Sequence, residues 1–146
     1  IILQNHPIDF EQIIKSAGDA IVVADPAGLI TYWNPAAGRI FGHCSTDVLG
    51  QSLDIITPTQ HQKRHWDGYA KTMQSGQTRY GHTVLRVPAL HKDGHTISIA
   101  FTITLLHSAT HEITGIAAVI RDETAQFMQI KGLKQRIIEL EKNATT

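Results

Sequence analysis

Apolar positions along the chain keep two different periods, and the switches between them mark the elements. In residues 7–18, Phe10, Ile13, Ile14 and Ala17 recur at helical spacing behind Asp9, a capping residue, and Gly18 suits the stop. Residues 19–34 change to strand character: the run 21–23 meets Asp25-Pro26 and Gly28, and a second run fills 29–33, so a β-hairpin is predicted. Asn34 then caps a short helix that opens at Pro35 and ends near Gly42. Ser45 and Gly50 bracket a second short helix in the same way.

From Thr57 as cap and Pro58 as first residue to Gly76 as terminator, the pattern predicts one longer helix. Gly68 in its middle costs about 1 kcal/mol relative to alanine, so contacts elsewhere must hold that turn. Three strand-like segments follow, 78–91, 95–107 and 112–124. Lys92-Asp93-Gly94 is the tight turn between the first two, and residues 107–111 make the second connection. The tail returns to a helical period. Ile130, Leu133, Ile137 and Leu140 alternate steps of three and four, a two-heptad seam with charges between. That seam reads as a dimer or linker helix, with packing on its own domain as the alternative.

This order of elements predicts an α+β domain, a five-stranded antiparallel sheet with helices on one face. Residues 1–18 form an N-terminal flanking helix, 19–124 the domain, and 125–146 a C-terminal linker or coiled-coil helix. One face of such a sheet is free to line a pocket with the helices.

Composition narrows the function. The 146 residues suffice for one domain with an apolar core, and 42% hydrophobic with 18% charged residues is ordinary globular material. Thirteen basic and thirteen acidic residues cancel, which removes the electrostatic footprint of a nucleic-acid binder. The single cysteine, Cys44, forms no internal disulfide and suits a reducing compartment. No apolar run reaches the about 18 residues of a membrane span, and no signal-peptide pattern is evident. The expected location is cytoplasmic, without membrane partners. The chain starts at Ile1, which suits a piece of a longer protein. Nine histidines make the charge depend on pH where imidazole titrates. No G-x-S-x-G, P-loop or nucleophile–histidine spacing is present, so catalysis is not expected.

The stretches "DAIVVADPAGLITYWNPAAGRIFGH", "DVLGQSL", "KDGHTISIAFTI" and "GIAAVIRDETAQF" together resemble the PAS domain, the small sensory module of bacterial signalling proteins. The resemblance covers residues 9–126, places Asn34 at the family's usual asparagine, and implies the PAS fold. PAS domains hold heme, flavin, small metabolites or nothing, so fold alone does not settle the function.

The stretch "HQKRHWDGYAKTMQSG" points to one of these. His61, His65 and Tyr69 follow at steps of four and share a helix face. In the rhizobial sensor kinases and heme-regulated phosphodiesterases, a histidine on this helix binds heme iron eleven residues ahead of the closing glycine. His65 stands eleven ahead of Gly76, although Tyr69 follows it by four residues where those sensors have a tyrosine at three. The resemblance therefore implies heme b with His65 as axial ligand. Ferrous or ferric heme needs an imidazole lone pair aimed into an apolar pocket. Ile21, Val23, Leu85, Ile97, Ile99, Phe101, Ile103, Ala117 and Val119 are candidate walls, with the choice between alternate strand faces left open. Lys63, Arg64, His61 and Arg79 are placed to meet the propionates. His82, behind Gly81 at the position where the phosphodiesterases supply a second ligand, is a candidate for the opposite side of the iron. A structural or surface role is the alternative for both histidines, and a zinc pair of His61 and His65 lacks a completing ligand. His43, His91, His95, His107 and His111 fall in turns or strand ends and are expected to be solvated.

Flavin ranks below heme. The light-sensing flavin PAS domains need a cysteine in Asn-Cys-Arg-Phe-Leu-Gln, and Cys44 lies in "GHCSTD". The expected protein is a heme-binding sensor of a diatomic gas or redox state. It would act as a homodimer through its flanking helices on an output domain or partner protein. The competing expectation is a cofactor-free or metabolite-binding module for dimerisation and protein interaction.

Overall fold

A computed structural model describes residues 6–78 and 81–145. Helix α1 (Phe10–Ser16) starts where expected, with the Asp9 carboxylate accepting from the Gln12 amide at 3.1 Å. Strands β1 (Ala20–Ala24) and β2 (Ile30–Trp33) form the predicted hairpin. Its turn is set by Asp25, whose Oδ1 accepts from the amides of Ala27 and Leu29 at 2.9 and 3.0 Å. Helices α2 (Pro35–Phe41) and α3 (Ser45–Val48) follow, then 3-10 turns at Leu53–Ile56 and Thr59–His61, then α4 (Gln62–Ser75). Strands β3 (Leu85–Leu90), β4 (Thr96–His107) and β5 (Ile113–Asp122) complete one antiparallel sheet in the order β2-β1-β5-β4-β3. Pro88 is tolerated because β3 is an edge strand with solvent on its unpaired side.

The core lies between the sheet and α2–α4. Phe41, Ile30 and Val48 are fully buried and pack with Ala20, Val22, Ile97 and Ile120 from the sheet. Asn34 is the one buried polar side chain among the described residues, and every polar atom of it is used. Its Oδ1 accepts from the amides of Ile21 at 2.8 Å and Ala37 at 3.0 Å, and its Nδ2 donates to the carbonyls of Ile14 at 3.0 Å and Asp19 at 3.1 Å. One amide thus ties α1, β1 and the start of α2 together, and its burial is offset because no donor or acceptor is left unmade.

Three local expectations are corrected, and the choice of strand face left open is decided. The strand expected over 78–91 begins only at Leu85, and Gly81 and His82 lie in an exposed turn ahead of it. Helix α4 starts at Gln62, because Pro58 and the Thr59–His61 turn come first. The Thr57 hydroxyl donates to the Leu53 carbonyl at 2.9 Å and does not cap α4. Cys44, not Ser45, holds the cap position of α3, without a side-chain bond. Ile21, Val23, Ala117 and Val119 stand on the alternate strand face from Val22, Ala24, Ala118 and Ile120, which face the helices.

Helix α5 (Thr124–Ala144) has no buried residue. The seam residues Ile130, Leu133, Ile137 and Leu140 are each more than half exposed in the single chain. Among the described residues, no helix is long and apolar enough to cross a membrane.

A cavity between α4 and the sheet

Two aromatic struts set the position of α4. The Tyr69 hydroxyl donates to the Asp25 carbonyl in the β1–β2 turn. Trp66 lays its ring over Gly28 in the same turn, and its Nε1 donates to Asp54 Oδ1 at 2.7 Å. Gly28 has φ of 84°, and a Cβ there would come within 2.2 Å of the Trp66 ring. Contacts of this kind hold the turn of α4 that Gly68 weakens.

With α4 held at its inner stripe, its neighbouring face and the sheet enclose a cavity of about 1090 Å³. Ordinary ligand pockets span about 300–1,000 Å³. Val22, Ala24, Ile99, Phe101, Ile116 and Ala118 line the sheet side, with Ile103 on β4 and Leu85 on β3. The helix side carries His61, Arg64, His65, Gly68 and Lys71. Gly68 leaves its part of the wall open, since nothing lies within 4 Å of a Cβ built there.

His65 is half-buried in this wall, its ring against Trp66 and Tyr69 at centroid distances of 4.8 and 5.8 Å. Its Nδ1 is buried and has no hydrogen-bond partner among the described residues. Burial holds its pKa below the ordinary imidazole value, against a weaker opposite pull from the Asp54 carboxylate. The ring therefore favours the neutral form, which carries a free lone pair. Tyr69 is a different case. Burial first, and Asp25 second, push its phenol up to about 12, so it stays a donor to the turn and offers no phenolate to a ligand.

The other predicted residues are unevenly distributed. His61, His65, Tyr69 and Ile103 come together at the cavity. Val119 is 44% exposed on the outer face of β5 and does not line it. His82 is exposed in the turn before β3 and is likewise not on the wall. Lys63 is exposed, whereas Arg64 reaches the rim. Arg79 lies outside the described residues. Sequence reasoning passed over Asp54 and Asp25, which aim α4 through a carboxylate and a carbonyl. A helix tryptophan and tyrosine carry no signal of their hydrogen-bond partners.

The apolar walls, a cationic rim and one unclaimed buried imidazole nitrogen suit a planar apolar cofactor with acidic edges. Heme has that character, so the residues present fit it.

The family model described as the PAS fold matches residues 8–122. Among curated proteins, the chain is 26% identical to the signal transduction histidine-protein kinase AtoS of Escherichia coli over 91% of the chain and 20% of that protein. It is 22% identical to the sensor protein FixL of Bradyrhizobium diazoefficiens over 94% of the chain and 28% of that protein. It is 23% identical to the oxygen sensor protein DosP of Escherichia coli over 77% of the chain and 14% of that protein. The chain thus spans less than a third of the length of each. Among solved structures, a PAS domain from Colwellia psychrerythraea superposes with a TM-score of 0.70 at 22% identity, over 80% of this chain and 95% of that one. An RNA-binding Light-Oxygen-Voltage receptor superposes with a TM-score of 0.72 at 17% identity, over 94% of this chain and 42% of that one.

Proposed function

The chain belongs to the PAS family, the sensory modules of signalling proteins, and on that premise we propose that its cavity holds heme b and reports a diatomic gas or a redox change. The observation that carries this is His65, an imidazole kept toward its neutral form by burial, in the wall of an apolar cavity. FixL and DosP, named as sensor and oxygen sensor, are relatives in keeping with it.

Heme, when bound, supplies an iron centre that takes up a gas or exchanges an electron. The chain's own residues do the rest. His65 offers the neutral imidazole, held by Trp66 and Tyr69 so that little rotation is left to it. The side chains of Ile99, Phe101, Ile103 and Ile116 make the facing sheet wall of the cavity apolar. Arg64 and Lys71 stand at the rim with His61, where the first two offer positive charge and all three offer donors to carboxylates.

The role is sensory and not catalytic, and its output leaves through α5. Strand β5 lines the cavity with Ile116, Ala118 and Ile120 and ends at Asp122, two residues before α5 begins. A ligand shifts the packing of α5 only by its differential affinity for two arrangements of that packing. The exposed seam of α5 is where a second copy would meet it, making a homodimer coupled to an output domain or partner.

The test is hemin loading followed by desalting and a visible spectrum, with and without carbon monoxide. The wild-type protein is expected to retain one heme with a strong violet band that carbon monoxide shifts, and His65→Ala to lose or alter that band. Protein that remains colourless after desalting, or a His65→Ala spectrum identical to wild type, overturns the proposal. A flavin spectrum from protein as isolated does so as well.

A further inference from the structure

A second cluster of ligating side chains lies away from the cavity, in the turn between β3 and β4. We propose that His91, Asp93 and His95 form a binding site for a late first-row divalent metal ion, with zinc the representative. The sequence places these residues around a tight turn. The His91 amide donates to the His95 carbonyl at 2.9 Å, and the Gly94 amide donates to the His91 carbonyl at 2.9 Å. Gly94, with φ of 96°, lets the chain reverse within three residues. The reversal brings the two histidines onto one side, where their rings stack at 4.5 Å with 21° between planes.

Asp93 completes the set. Its Oδ1 accepts from the His95 amide at 3.0 Å and contacts the Nδ1 of His95, and the Asp93 amide faces the Nδ1 of His91 at 3.2 Å. One ligand atom from each of the three residues falls within 4.8 Å of the others. Zinc bonds nitrogen and oxygen at about 2.0–2.2 Å, so the ligands around one ion stand about 3.3–3.5 Å apart. Rotation of the Asp93 and His95 side chains, 61% and 55% exposed, closes that difference toward the more buried His91. Two imidazoles and a carboxylate are a donor set for zinc and its neighbours, and not for magnesium or calcium, which take oxygen.

His91 is the anchored member. Its side chain is 22% exposed, against 55% for His95. The ring packs on Gly42 at the end of α2, where a Cβ would come within 2.6 Å of it. The Lys92 amide also donates to the Phe41 carbonyl at 2.8 Å, which staples the turn to α2. An ion bound here would clamp the ends of β3 and β4, the same strands that supply Leu85, Ile99 and Phe101 to the cavity wall. The site stands on its own residues, apart from whatever the cavity holds.

Zinc chloride titrated into the full chain by calorimetry tests this. Wild type and His65→Ala are both expected to bind one ion, so loss of the cavity ligand does not affect the result. His91→Ala and His95→Ala are expected to weaken binding by at least ~10-fold each. Asp93→Asn, which keeps a turn-forming side chain, is expected to weaken it as well, and guards against misreading a broken turn. A His107→Ala/His111→Ala double variant, altering the other histidine-bearing turn, is expected to bind as wild type does. Cobalt in place of zinc is expected to give a visible absorption band that His91→Ala abolishes. The absence of stoichiometric binding, or affinity unchanged in His91→Ala and His95→Ala, overturns the proposal.

Discussion

The amide of Ser98 donates to the hydroxyl of Thr124 at 3.0 Å, joining β4 to the first residue of α5. The Ser98 carbonyl accepts from the Glu123 amide at 2.8 Å, and Asp122 Oδ1 accepts from the Thr124 amide at 2.9 Å and from its hydroxyl at 2.5 Å. The exit of the helix is therefore set by the sheet at a fixed point. Thr124→Ala leaves the Ser98 amide without a side-chain acceptor and is expected to cost about 1 kcal/mol in denaturant unfolding. It is also expected to speed amide exchange in the first turns of α5 while leaving the strands as protected as before. Unchanged exchange in α5 would show that the junction does not govern the helix.

Stability is expected to fall on acidification, and His65 contributes to the fall. Its folded pKa lies below the ordinary value of 6.5, through burial, so the unfolded chain takes up the proton first. The contribution is complete above about pH 6.5 and is lost as pH falls through the folded value. His43 is shifted the same way, burial again being the largest cause, so the His65 share must be isolated. The groups beside His65 are Trp66, Tyr69 and Asp54, and only Asp54 opposes the shift. His65→Phe is therefore expected to lose less stability than wild type between about pH 7.5 and 5.5, read as urea midpoints of heme-free protein. Equal losses would place the buried ring outside the acid response.

Gly28 carries two constraints at once, a positive φ and the Trp66 ring against its missing side chain. Gly28→Ala is expected to destabilise by about 2 kcal/mol or more, since an L side chain is strained there and the ring must move. The displaced ring would also loosen the Trp66–Asp54 bond, so tryptophan fluorescence is expected to change in the native state. A variant with wild-type stability and emission would mean that the turn and α4 are not locked together.

Gly68 is the opposite kind of glycine. It sits in α4 at ordinary helical angles, with open space where a Cβ would go. Gly68→Ala is expected to stabilise heme-free protein by up to about 1 kcal/mol in denaturant unfolding. A loss of stability would show that the wall of the cavity is closed there in solution.

The strand faces show where the sequence was legible and where it was not. On β4, Ser98, Thr102 and Thr104 alternate with Ile97, Ile99, Phe101 and Ile103, and the inward set follows from polarity alone. On β1 and β5 both alternate sets are apolar, so no period marks a face. The larger side chains Ile21, Val23 and Val119 turned out to stand outside, while Ala24 and Ala118 face in. Val22, Ile116 and Ile120 face in with them and Ala117 stands outside, so side-chain size marks no face either, and the choice is made by tertiary packing that no local pattern carries. Asn34, Gly42 and Gly76 marked helix ends because caps are local chemistry, and α2, the end of α4 and the hairpin followed, whereas α1 stops at Ser16 with Ala17 and not Gly18 at its cap. Tyr69 lines the cavity together with His65, yet its bond to Asp25 joins residues 44 positions apart and left no trace in the sequence.

The central pairing of β1 with β5 sets Ala20 beside Ile120, and the Arg121 guanidinium grips Asp19 through two bonds of 3.1 Å. Polypeptide arriving at the domain and polypeptide departing from it are thus neighbours at one end of the same two strands. Spliced between two helical rods, such a unit adds its whole mass to the side of the rod and almost nothing to its length. Twist imposed on such an incoming rod would pass to the outgoing one across a single strand pair, the same pair that carries Val22, Ile116 and Ala118 into the cavity wall.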